Sequence, residues 1–90
     1  MTKPVALWRE DIDALQFATG DGGVCLVHRL AFRSLLNFAP QMTDCMGYFS
    51  FHAPVFRAAA AAKIARRNIA PGRNIHLTSR DIARQLLQPG

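Results

Sequence analysis

Two cysteines and three histidines are the first residues to question, because these side chains ligate transition metals and build thiol nucleophiles. Cys25 and His28 stand in a C-x-x-H spacing, with Cys45 and His52 further along. A mixed zinc site would need these side chains to converge on one ion. In an extended segment, residues three apart point to opposite faces, so Cys25 and His28 reach a common ion only if the strand ends or bulges between them. The spacing also differs from the paired C-x-x-C pattern that marks strong zinc motifs. No metal is expected here, and both cysteines are expected as free, buried thiols of a reducing compartment.

Catalytic constellations are weak as well. Cys25 falls in an apolar strand and Cys45 in a connecting stretch, and neither sits in a motif that would lower a thiol pKa. Carboxylates are few and crowd the first part of the chain as Glu10, Asp11 and Asp13, where they read as a solvated lead-in to the first strand. The glycine-rich "GDGG" lacks the following lysine and the strand-to-helix setting of a phosphate loop. Neither enzymatic activity nor a cofactor is expected.

Charge is the stronger signal. The formal net charge is +5, and it is uneven: residues 1–45 hold four Lys or Arg against five Asp or Glu, whereas residues 46–90 hold seven against Asp81 alone. A basic half attracts phosphates through counterion release, and it equally keeps a small apolar protein soluble. The candidate polyanion contacts are Arg57, Lys63, Arg66, Arg67, Arg73, Arg80 and Arg84. The closing "HLTSRDIARQLLQPG" resembles the first helix of a DNA-binding helix-turn-helix, but the segment before it reads as a strand and only three residues follow Leu87, so that motif is not expected.

The elements that would position these residues follow from periodicity. "DALQFAT" and "VCLVH" are extended apolar stretches around "GDGG", which predicts a β-hairpin. In "LAFRSLLNFAP", Phe32, Leu35, Leu36 and Ala39 recur at helical spacing up to Pro40. Residues 41–47 read as a loop or frayed turn. A longer helix follows, from Tyr48 or Pro54 to about Asn68, its body starting near Ala53 or a little before it because Pro54 is tolerated only in a first turn. Phe56, Ala60 and Ile64 form its apolar stripe, beside five consecutive alanines, Ala58 to Ala62. At about 100° per residue, Arg57 and Lys63 flank the stripe on opposite sides and Arg66 points away, so no single basic ridge is expected along that helix. After the "APG" break, "RNIHL" predicts a third strand with Ile75 and Leu77 inward. Thr78 and Asp81 make a capping box for a last helix buried through Ile82, Leu86 and Leu87. The expected fold class is α+β: an N-terminal hairpin, two helices, a third strand and a short C-terminal helix, ββααβα.

The hairpin with its "GDGG" turn and Cys25, the placement of Phe49 ahead of Ile64, the "AAAKI" segment and the closing "GRNIHLTSRDI" together resemble a family of short bacterial proteins catalogued as domain of unknown function 1488. The resemblance spans about Asp13 to Ile82. It implies a small cytoplasmic bacterial α+β domain, and it carries no reaction, cofactor or ligand. This chain departs from that pattern in its helices, where Arg33, Arg57 and alanines stand in place of acidic residues.

Ninety residues fit one domain, 1–90, with an ordered core of about 8–87 between frayed ends "MTKPV" and "QPG". No apolar run reaches the roughly 18 to 20 residues that cross a bilayer, and the start lacks the apolar stretch of a secretory signal, so a cytoplasmic, non-membrane protein is expected. A domain this small gains from a partner or a second copy. The first functional expectation is therefore a non-enzymatic interaction or self-association module using Trp8, Tyr48, Phe49 and Phe51 as its patch. The second is weak, non-specific nucleic-acid binding through the basic C-terminal half.

Overall fold

The hairpin expected from the "GDGG" turn forms the centre of a four-stranded sheet. The computed structural model describes residues 6–87; the two end segments, "MTKPV" and "QPG", lie outside the described residues. Strands β2 (Ala14–Ala18) and β3 (Val24–His28) pair antiparallel, with Phe17 opposite Cys25 and Leu15 opposite Val27. The turn between them closes through a Thr19 N–H donated to the Gly23 carbonyl at 3.1 Å, and Gly20 and Gly22 take φ of +92° and +98°. Such values suit glycine, which has no Cβ to clash.

On one side of this hairpin lies a strand that periodicity did not predict. β1 (Ala6–Arg9) pairs antiparallel with β2, Trp8 opposite Leu15 and Ala6 opposite Phe17. The acidic stretch after it is a tight connection, in which Ile12 N–H donates to Arg9 O at 3.3 Å and Asp13 adopts φ 53°. On the other side, β4 (Ile75–Leu77) runs parallel to β3 and completes the order β1-β2-β3-β4. Parallel neighbours cannot be joined by a tight turn, so the whole helical section serves as the crossover.

That section holds α1 (Arg29–Leu36), α2 (Met42–Phe51) and α3 (Ala53–Arg67); α4 (Ser79–Leu86) follows β4. α1 stops short of Ala39 because Asn37 turns left-handed at φ 64°. α2 replaces the expected loop at residues 41–47: Gln41 and Asp44 form a reciprocal capping box that starts a helix there. α3 begins at Ala53 with Pro54 in its first turn, as the proline requires, and ends at Asn68, which is left-handed at φ 52°. α4 opens on the Thr78–Asp81 capping box. The domain is α+β as its pattern indicates, with one strand in front of the hairpin and one helix, α2, beyond the expected order.

One face of the sheet carries the core. Trp8, Leu15, Phe17, Cys25, Val27, Ile75 and Leu77 alternate onto the face that meets Phe32, Phe49, Phe56, Ala60 and Ile82 from the helices. Phe56 sits at the middle, its ring 5.1 Å from Phe49, 5.8 Å from Phe32 and 6.0 Å from Tyr48. The other face holds the alternate residues, in a row across all four strands: Leu7, Gln16, Leu26 and His76. On that face Leu7 is exposed, whereas Leu26 and Ala14 are buried. Leu86 and Leu87, expected to bury α4, are exposed; Ile82 alone on that helix is fully buried, because eight residues present only about two turns to the sheet.

Candidate functional site

Five of the seven basic residues singled out by charge meet at one place. Lys63, Arg66 and Arg67 lie on the last turns of α3; Arg80 and Arg84 lie on α4. Together with Thr78, Ser79 and Asp81 they line a hollow of about 480 Å³. The local reason is spacing. Lys63, Arg66 and Arg67 are related by i, i+3 and i+4, and Arg80 and Arg84 by i, i+4, so each set shares one face of its helix. The tertiary reason is that β4 is only three residues long, which brings α4 back against the carboxyl end of α3.

Asp81 organises this hollow. Its carboxylate accepts from Lys63 Nζ at 3.0 Å, Thr78 N–H at 2.9 Å, the Thr78 hydroxyl at 3.1 Å and Arg66 at 3.4 Å. Burial alone would raise its pKa, but the Thr78 N–H, the Lys63 ammonium and the Thr78 hydroxyl outweigh it and hold the group below the ordinary carboxylate value. Lys63 also donates to the His76 carbonyl at 2.6 Å, on β4 at the edge of the sheet. With side-chain exposures of 14% and 10%, Lys63 and Asp81 form an internal pair, so Lys63 is a structural cation rather than a free phosphate contact. Arg66, at 42% exposure, is tethered loosely. Arg67, Arg80 and Arg84 make no ion pair among the described residues. The lining therefore carries five cations against one carboxylate, and four of the five are guanidiniums. Guanidiniums match phosphate and carboxylate oxygens in a two-pronged geometry that an ammonium does not.

The remaining two basic candidates are elsewhere. Arg57 lies on α3 nine residues before Arg66, roughly 14 Å along the axis, beside a different groove. Arg73 precedes β4, and its carbonyl approaches Gly23 at the hairpin end of the sheet. A reading confined to α3 does not show that α4 supplies the second wall, nor that Lys63 and Arg66 meet on Asp81. The i, i+4 pair Arg80 and Arg84 was the sequence signal available.

The aromatic patch does not assemble as expected. Phe49 is 1% exposed and packs against Phe17 and Phe56, because its position on α2 faces the sheet, so it is removed from the candidate surface. Trp8 is half-buried on the core side. Phe51 is 83% exposed, and its ring meets His52 at 5.0 Å, which in turn meets Tyr48 at 4.6 Å. What reaches the surface is a short Tyr48–His52–Phe51 strip at the α2–α3 junction.

Cys25 and His28 point to opposite faces of the sheet, Cys25 into the core and His28 to the outer face. There His28 stacks on His76 with ring centres 5.2 Å apart and planes 1° from parallel. Among the described residues no three His, Cys, Asp or Glu side chains gather in a metal-holding group. Both thiols are free and buried; burial pushes Cys25 up to about 12 and Cys45 up to about 11, away from the range of an activated nucleophile. No described helix is long and apolar enough to cross a membrane. No protein family, curated protein or solved structure matches the chain.

Proposed function

We propose that this domain is a non-enzymatic binding module that docks onto the phosphate backbone of a nucleic acid through the α3–α4 hollow. The observation that supports this is the convergence of Arg66, Arg67, Arg80 and Arg84 around one internally paired carboxylate. No aromatic side chain lines the hollow, so it offers no stacking platform for unpaired bases. Duplex DNA or RNA, held by charge and without sequence preference, is the ligand this lining suits. A cytoplasmic setting belongs to the same proposal and is supported by two buried, unpaired cysteines. The resemblance to domain of unknown function 1488 is compatible with it and adds no activity.

Fluorescence anisotropy of a labelled duplex, titrated at several salt concentrations, tests the proposal. Three to four phosphate contacts give a log–log salt slope of about −3. Arg66→Ala and Arg67→Ala each lower the slope by about one and weaken binding equally for all sequences. No retention at low salt, or a slope indifferent to these variants, overturns it.

A second reading draws on the Tyr48–His52–Phe51 strip, where the exposed phenyl ring of Phe51 favours self-association. Sedimentation at rising concentration then shows a dimer in the wild type and a monomer in Phe51→Ser. A wild type that stays monomeric removes this reading.

A further inference from the structure

A second hollow, away from the basic one, has a different chemistry. It lies between the end of β2 with its turn, Phe17 to Gly20, and the α3 stripe of Arg57, Ala60, Ala61, Ile64 and Ala65, and its volume is about 420 Å³. That volume falls in the range of small-molecule sites, roughly 300 to 1,000 Å³. Apart from Thr19 and Arg57, the lining is apolar or glycine.

Four observations bear on its occupant. The floor is pre-formed, because Phe17 is buried and its ring is fixed 5.1 Å from Phe49 and 6.5 Å from Phe56. The rim is fixed as well: the Asp21 carboxylate accepts from the Thr19 hydroxyl at 2.5 Å and from Gly23 N–H at 3.0 Å, while Gly20 holds φ +92°. Asp21, the carboxylate of that turn, is thus engaged within the turn, and these bonds hold it below its ordinary value. Arg57 makes no ion pair among the described residues. Arg57 and Ala65 mark the two ends of a stripe about 12 Å long, with alanine methyls between them that leave the space open.

We infer that this groove binds a small amphipathic carboxylate of medium chain length, its alkyl chain along Ala61 and Ile64 over Phe17 and its carboxylate on the Arg57 guanidinium. An open apolar slot with a single cation at one end suits that ligand class: the chain leaves water along the alanines, and the two oxygens meet a two-pronged donor. A neutral chain would forfeit the guanidinium, and a polyphosphate would find one cation and an apolar floor.

Octanoate is the probe, titrated into the isotope-labelled protein and followed by amide shifts, with octan-1-ol as the uncharged control. Saturable shifts at Phe17, Ala18, Thr19, Gly20 and Ile64 are expected. Arg57→Gln weakens octanoate about tenfold and leaves octan-1-ol unchanged. Ala61→Leu, at an exposed helical position, fills the slot and abolishes both. Arg66→Ala with Arg67→Ala leaves octanoate binding intact, which separates this groove from the phosphate-binding hollow. Absence of saturable shifts, shifts confined to Arg66, Arg67 and Arg84, or an affinity that Arg57→Gln does not change each overturns the inference.

Discussion

Lys63 on α3 holds Asp81 on α4 at 3.0 Å and, with the same ammonium, donates to the carbonyl of His76 at 2.6 Å. One side chain thus ties the long helix to the last helix and covers a backbone acceptor at the edge of the sheet. Exposed strand edges invite pairing with other chains, so this contact also blunts the β4 edge. The capping box at Thr78 shares the same carboxylate, which makes Asp81 the point where helix start, helix packing and the basic hollow meet.

Replacing Asp81 with Ala removes a cap and leaves Lys63 with its charge unpaired, which costs about 2 to 4 kcal/mol of stability. Asp81→Asn keeps a hydrogen-bond acceptor for Thr78 and costs less. Denaturant unfolding near neutral pH measures both. Asp81→Asn also releases Arg66 from its carboxylate, so affinity for a labelled duplex rises even as stability falls; an affinity that drops would detach Asp81 from the proposed phosphate site.

The same carboxyl sets a pH dependence. Its folded pKa lies below the ordinary value of 3.8, so its contribution is fully present above that value and is lost as pH falls through the folded one. Wild type is therefore more stable than Asp81→Asn at about pH 6, and the gap narrows on acidification to about pH 3. Parallel unfolding curves at the two pH values, with a constant gap, contradict this assignment.

Among the described glycines, Gly23 has the closest backbone neighbour. A Cβ built there would stand 2.3 Å from the Arg73 carbonyl oxygen and 3.0 Å from the Gly72 carbonyl carbon, and both are main-chain atoms that cannot swing aside. Gly23→Ala thus pushes the loop before β4 off the hairpin and costs about 1 to 3 kcal/mol. Loss of amide exchange protection at Val24, whose N–H donates to Asn74 at 3.2 Å, would locate the damage.

Phe56→Ala empties the centre of the aromatic cluster, which Phe17, Phe32, Tyr48 and Phe49 all touch. The cost is about 3 to 5 kcal/mol, a large share of what a domain of this size can spare. Phe56→Leu, which retains most of the apolar volume, loses less. Equal midpoints for the two variants would show that the cluster is not the core's centre.

Features set within a few residues were legible in the sequence. The "GDGG" hairpin, the placing of Pro54 in the first turn of α3, the inward Ile75 and Leu77, and the Thr78–Asp81 box all depend on glycine, proline, alternation or a capping side chain acting over one turn. Features settled by long-range packing were not. β1 has only four residues and gains its pairing from β2; α2 starts on a glutamine cap, a weak signal by itself. Phe49 could be assigned to core or surface only once α2 had a face turned to the sheet. The charges of α3 and α4, separated along the chain by a loop and a strand, became one site when β4 docked parallel to β3. Composition established that the second half is basic, because charge is a property of residues alone; where those charges meet, and that Lys63 is consumed by Asp81 while four arginines are left facing solvent, is decided by the return of one helix against another.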